Sequence, residues 1–221
     1  MENVPTKKRS AFILILYFLG SVLLVGIIAF LLIHKTLILM QTSNDLKWFG
    51  MAIHRYYKEH GSYPPATVQY ENSALTHSWR SVLQHHLSKA VETKDDFDAY
   101  DFNEPWNSPA NLDTAKNHRF GDHWYQFLAV TGPDTAWGKK TSEITDGTAN
   151  TVLVIGIRNS GVSWNEPKDF VFDGKNLTLD GQPIQLSKDV FVLQADTSVD
   201  YFADGIPNNK LKPLLTANGG D

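Results

Sequence analysis

The sequence predicts an α+β chain, a long N-terminal helix followed by a mostly antiparallel β-sheet. Three observations carry this. Residues 11–33, AFILILYFLGSVLLVGIIAFLLI, run for 23 residues without a charge. An apolar stripe at helical spacing follows, within TSNDLKWFGMAIHRYYKEHGSYPP. From Trp124 onward, short β-branched and aromatic runs alternate with Gly-, Asn- and Asp-rich connections.

The first run reads as a membrane span from Ala11 to Ile33. At 1.5 Å per residue such a helix is about 35 Å long, enough to cross a hydrocarbon core of about 30 Å. Its only polar side chains are Tyr17 and Ser21, so it lacks the polar stripe of a surface helix. Phe12 and Leu16 lie in its first turns. Gly20 and Gly26 are six apart, not at the four-residue spacing of a G-x-x-x-G dimer face. Lys7, Lys8 and Arg9 precede the span, while only His34 and Lys35 follow it closely. The positive-inside rule then places residues 1–10 in the cytoplasm and 34–221 outside it, as an extracytoplasmic (periplasmic) domain. A cleaved signal would have an apolar region of about 7–15 residues ending in a small-x-small site. LLIHKTLILM offers no such site, so the anchor is expected to stay uncut.

Beyond Lys35 the chain holds 16 basic and 23 acidic side chains, a net charge of −7, which argues against nucleic acid or anionic lipid as its partner. The absence of cysteine excludes disulfides and thiolate metal sites.

The helix is expected to continue past the span to Glu59, with Leu46, Phe49, Ile53, Tyr56 and Tyr57 on its apolar face and Asp45 off it. Gly61 is a natural C-cap and Pro64–Pro65 forbid continuation. A second helix is predicted in THSWRSVLQHHLSKA, capped by Ser78 or Thr76, with Trp79, Val82, Leu83, His86 and Leu87 on one face. Strands are predicted at 124–131, 151–157, 169–172, 190–194 and 199–202.

The helix-then-sheet order resembles the type IV pilin and pseudopilin architecture. Four blocks sharpen the likeness: NDLKWFGMAIHRYYKEHGSYPPA (44–66), SWRSVLQHHL (78–87), YDFNEPWNSPANL (100–112) and EITDGTANTVLVIG (143–156). On these the chain resembles a pilin-like family known chiefly from planctomycete genomes and catalogued as domain of unknown function 1559. The resemblance implies a pilin-like fold and envelope localisation; it brings no activity. The chain departs from the family at two places. Ala11–Phe12 stands at the prepilin processing junction, but Leu16 occupies the position of the glutamate that pairs with a neighbouring subunit's amino terminus. The family's C-terminal signature is a histidine, nine residues, then Asp-Gly. Here Asp196 is followed by Thr197, and Leu186 stands ten positions earlier.

The acidic blocks hold the candidate metal ligands. Asp101, Asn103 and Glu104, together with Asp146 in ITDGTAN, offer hard oxygens that suit calcium, the only cofactor the sequence admits. The competing reading, and the favoured one, is structural: Asn103, Asn107 and Asn111 bond to their own backbone in turns, and Asp146–Gly147 makes a tight turn into the following strand. No histidine pair has the i, i+4 zinc spacing, and there is no G-x-S-x-G nucleophile motif. The expectation is therefore a non-catalytic, membrane-anchored, pilin- or pseudopilin-like envelope protein. Its partners would be the bilayer and other pilin-like subunits or envelope proteins. The alternative is a stalk-presented ligand- or glycan-binding module with its tryptophans lining an open cleft, and an envelope hydrolase comes last.

Overall fold

The computed structural model describes residues 6–69, 75–91, 100–117 and 125–219, and divides the chain into two compact units, 1–42 and 43–221. A single helix, α1 (Thr6–His60), supplies the whole described part of the first unit and opens the second.

In the first unit the large apolar side chains from Phe12 to Ile33 are all exposed. Ser21 Oγ donates to the Phe18 carbonyl at 2.7 Å and Thr36 Oγ1 to the Leu32 carbonyl at 2.9 Å. These hydroxyls are thus satisfied by the helix itself.

In the second unit α1 presents a broad buried face of Asp45, Leu46, Phe49, Ala52 and Ile53. Asp45, placed off the stripe by its spacing, is only 1% exposed. The buried face includes neighbours at i and i+1, wider than the stripe that the apolar residues alone define. Tyr56 and Tyr57 are half-buried at its edge. The helix ends as its sequence indicates: Gly61, at φ 78°, donates its N–H to the Tyr57 carbonyl at 2.7 Å.

A small antiparallel pair, β1 (Thr67–Gln69) and β2 (Thr76–Ser78), leads into α2 (Trp79–Val82), whose N-cap is Ser78. The single helix expected here is two, because α2 closes at Leu83 and α3 (Gln84–Val91) restarts after it. Trp79, Leu83 and Leu87 are all fully buried. Next comes α4 (Pro109–Asn117), with proline at its first position.

The main sheet has seven strands: β3 (Gln126–Thr131), β4 (Val152–Ile157), β5 (Phe170–Phe172), β6 (Leu177–Leu179), β7 (Gln182–Pro183), β8 (Val190–Gln194) and β9 (Val199–Phe202). Their order is β7-β6-β5-β3-β4-β8-β9, antiparallel except for the β3–β5 pair. This is an α+β fold with a mostly antiparallel sheet.

The central strands are buried on both faces. Leu128 and Val130 of β3 and Val190 and Val192 of β8 join a core with Phe170, Phe172 and Leu211 and Leu215 of the C-terminal helix α5 (Asn208–Leu215). Phe127 turns to the opposite face and meets Phe49 of α1 at 5.4 Å between ring centroids. Leu193 does likewise: a Cβ at Gly50 would lie 3.0 Å from its Cδ1. Gly50 therefore lets α1 approach the sheet closely.

Candidate functional site

Arg80, 1% exposed, is the most heavily bonded side chain in the fold. Nε donates to the Trp164 carbonyl at 2.8 Å. Nη1 donates to the Phe127 carbonyl at 3.0 Å and to Asp169 Oδ1 at 2.8 Å. Nη2 donates to the Glu166 and Lys168 carbonyls at 2.6 and 3.1 Å. Asp169 Oδ1 also accepts from the Trp79 indole at 3.0 Å and the Ala129 amide at 2.7 Å. Burial pushes the Asp169 carboxyl up, while the Arg80 guanidinium and these donors draw it back down. A guanidinium with its donors spent on the protein serves to join α2 to the sheet and to the 164–168 segment.

The Tyr100–Leu112 loop is bound in the same way, by Asn111, which is fully buried. Its Oδ1 accepts from the Asp101 amide at 2.9 Å. Its Nδ2 donates to the Asp101, Glu104 and Pro105 carbonyls at 2.9, 3.3 and 3.0 Å. Its own carbonyl accepts from Asn165 Nδ2 at 2.6 Å. Asp101 Oδ1 accepts from the Asn103 amide and side chain at 2.8 and 3.1 Å, a local Asx turn. Tyr100 is buried against His77, with the phenol oxygen 2.7 Å from Nδ1, and Phe102 packs edge-on to both rings. Burial pushes the Tyr100 phenol up to about 12 and lowers the His77 imidazole below its ordinary value. In the neutral pair Tyr100 donates to Nδ1, and Nε2 is buried with no hydrogen-bond partner among the described residues.

The proposed calcium ligands are placed differently from one another. Asp101, Asn103 and Glu104 are exposed on this loop. Asp146 anchors the C-terminal segment: Oδ2 accepts from the Gly219 amide at 2.6 Å, and its amide donates to the Ala217 carbonyl at 3.3 Å. Gly147, at φ 91°, makes the tight turn expected of Asp-Gly. Among the described residues no group of three or more His, Asp or Glu side chains is placed to hold a metal ion.

Residues 39–131 match the model of a family described as protein of unknown function (DUF1559). Over those residues the chain is similar to that family. No curated protein and no solved structure matches the chain.

The matched span includes His54 and Tyr63, which line one side of a cleft of about 240 Å³. Its polar lining is His54, Tyr63, Thr141, Thr148, Asp196 and Thr197. Asp196 and Thr197 form the β8–β9 turn. Thr197 sits at φ 74°, the left-handed region that a glycine would occupy without cost. Thr197 therefore stands, in a conformation that suits glycine, at the position where the resemblance implies the glycine of an Asp-Gly pattern. The turn is held from four sides. Tyr63 Oη donates to the Ala195 carbonyl at 3.1 Å, and the Asp196 amide to the Thr148 carbonyl at 3.1 Å. Ser198 donates to Asp196 Oδ1 through both N–H and Oγ, at 2.9 and 2.6 Å. A Cβ on Gly50 would come within 3.1 Å of Thr197 Cβ. Leu186, at the histidine position of the pattern, is buried in the core and contributes packing there.

Trp79, Trp137 and Trp164 are buried, and Trp48 and Trp106 are half-buried. Trp79 meets Phe49 edge-on and Trp164 meets it at a tilt, so these rings line the core and not an open cleft, as the glycan alternative required of them. Trp124, His118 and His123 lie outside the described residues. Sequence reasoning missed Arg80, Asp169, Tyr63 and the cleft. The available signals were a lone arginine beside an apolar helical face and the Thr that replaces Gly after Asp196.

Proposed function

We propose that this chain is a membrane-anchored, non-catalytic, pilin- or pseudopilin-like envelope protein with a structural or protein-binding role. The observation that carries this is the first part of α1. It is long and apolar enough to cross a membrane, and none of that stretch is buried within the protein. Unsupported exposure of so much apolar surface to water is disfavoured, whereas lipid satisfies it. The inward bonding of Ser21 and Thr36 suits the same environment, where a polar group must find its partner on its own helix. The Arg80 and Asn111 clusters of the second unit are committed to internal bonds, which supports a structural over a catalytic role for them. The excess of Lys and Arg before the span supports a cytoplasmic N-terminus.

Carbonate extraction of native membranes tests the anchor: the full chain should stay in the pellet, and release into the supernatant would overturn it. Because the chain has no cysteine, a single one placed at Lys175 reports orientation cleanly. Labelling of intact cells permeable only at the outer membrane by an impermeant maleimide is the expected result. Labelling only after complete lysis would put the second unit in the cytoplasm. The mass of the mature protein decides the pilin question, since a start at Phe12 would mean that the leader is cut despite Leu16.

A further inference from the structure

We propose that the cleft at the β8–β9 turn binds a small, uncharged polyhydroxylated ligand on the scale of one sugar ring. The inference goes beyond the anchored reading and does not depend on it.

Four of the six polar lining groups are hydroxyls: Tyr63, Thr141, Thr148 and Thr197. Tyr63 Oη spends its proton on the Ala195 carbonyl and also bonds Thr141, so Thr148 and Thr197 are the lining hydroxyls that both donate and accept, and these match the hydroxyls of a ligand. Asp196 and His54 complete the lining, and each can bond to a hydroxyl through an acceptor or donor of its own. Asp196 already takes Ser198 on Oδ1, which fixes its orientation and leaves a carboxylate with a second oxygen. One face of the cleft is backed by rings. His54 stacks on Tyr57 at 6.3 Å, and Tyr57 meets Tyr63 at 5.3 Å. His54 is exposed on the cleft, so its ring, supported from behind by Tyr57, is the aromatic surface offered to the C–H face of a sugar.

The volume of about 240 Å³ lies below the roughly 300–1,000 Å³ of sites for drug-sized ligands, so the cleft suits one ring and not an extended chain within it. The walls are also fixed beforehand. Thr197 holds a backbone conformation that costs energy for a side chain with a Cβ, and the bonds from Tyr63 to Ala195 and from Asp196 to Thr148 hold the turn there. Strain over-determined by its surroundings beside an open polar cleft is the arrangement of a preorganised binding site. A relaxed surface turn would have no need of it.

The ligand chemistry has two sources, a free monosaccharide and the end of a glycan chain. Saturation-transfer NMR on the full chain in lipid nanodiscs, free of sugar-based detergent, separates them. The probes are D-glucose, N-acetyl-D-glucosamine and its soluble trimer, with ethanolamine and inorganic phosphate as charged controls. Saturation of at least one sugar is expected, weakened at least tenfold in both Asp196→Asn and Thr148→Val. A trimer held tighter than its monomer assigns the glycan end; equal affinity assigns the free sugar. The unfolding midpoint of each variant is measured alongside, and His54→Gln, on the exposed helix side, provides a third variant with little bearing on the turn. Saturation by ethanolamine or phosphate alone, by no probe, or by sugars equally in wild type and all folded variants overturns the proposal. Carbonate extraction is blind to all of these outcomes, so the anchor and the cleft fail separately.

Discussion

The Tyr100–Leu112 loop and the Asp196–Thr197 turn are both polar, both built on Asp and Asn or Thr, and they use their polar groups in opposite ways. In the loop, one buried amide, Asn111, gathers three carbonyls and an amide, and Asn165 ties it onward to Ser81, beside Arg80. In the turn, bonds hold the backbone in a conformation its sequence disfavours and leave side chains on an open cleft. Density of acidic residues therefore says little about where a ligand would go. What matters is whether the polar atoms are already spent.

The largest expected effect lies on the spent side. Arg80→Ala leaves Asp169 buried and charged, and removing one partner of such a pair costs about 3–5 kcal/mol. Urea unfolding of the full chain should show a loss of this size, with the sheet and the 164–168 segment both affected. A loss under about 1 kcal/mol would mean that the pair is not the junction argued above. Asn111→Ala comes next, at about 2 kcal/mol, because buried donors and acceptors lose their partners while the carbonyls nearest solvent recover water. It should also raise proteolysis within 101–108 before global unfolding. If the loop stays protected, the knot is held elsewhere.

A smaller effect separates the loop by pH. Burial lowers the His77 imidazole in the folded state, so the unfolded chain binds the extra proton. Stability from this group is therefore complete above the ordinary histidine value of about 6.5 and declines as pH falls below it, until the folded value is passed. The slope is bounded by about 1.4 kcal/mol per pH unit. His77→Gln should flatten the urea midpoint between about pH 6.5 and 5.5 relative to wild type. An unchanged slope would assign the dependence to another group.

The same contrast explains what the sequence let one read. The helix end at His60 was legible because Gly61 and the two prolines act locally, and β8 and β9 matched residue for residue because both follow clear turn signals. Strands β6 and β7 are absent from the predicted set, since three and two residues are too few to show a period. Helices α4 and α5 are rich in Asn, Lys and Pro, and only packing against the rest of the unit makes them helical. Asp45 was misplaced because spacing marks the apolar stripe and not the breadth of the surface that covers it. The turn reading of both acidic blocks followed from Asx chemistry. Arg80 and the cleft bring together residues far apart in the chain, such as Tyr63 with Ala195, and no local pattern encodes that meeting.

Thr197→Gly gives the smallest effect on stability and the sharpest test of the contrast. Left-handed backbone costs a residue with a Cβ about 1–2 kcal/mol, which glycine relieves. Against this, glycine loses about 0.5–1 kcal/mol more chain entropy on folding, and the Thr197 methyl gives up its packing over Gly50. The net should lie within about 1 kcal/mol of wild type, with stabilisation as the favoured sign. A hydroxyl and a wall of the cleft go with it, so sugar saturation should fall while the unfolding midpoint holds or rises. That separation is what a strained binding turn produces and a merely tolerated one does not. A midpoint that drops by several kcal/mol would show instead that Thr197 is there for its packing, and would return the turn to the same class as the Asn111 loop.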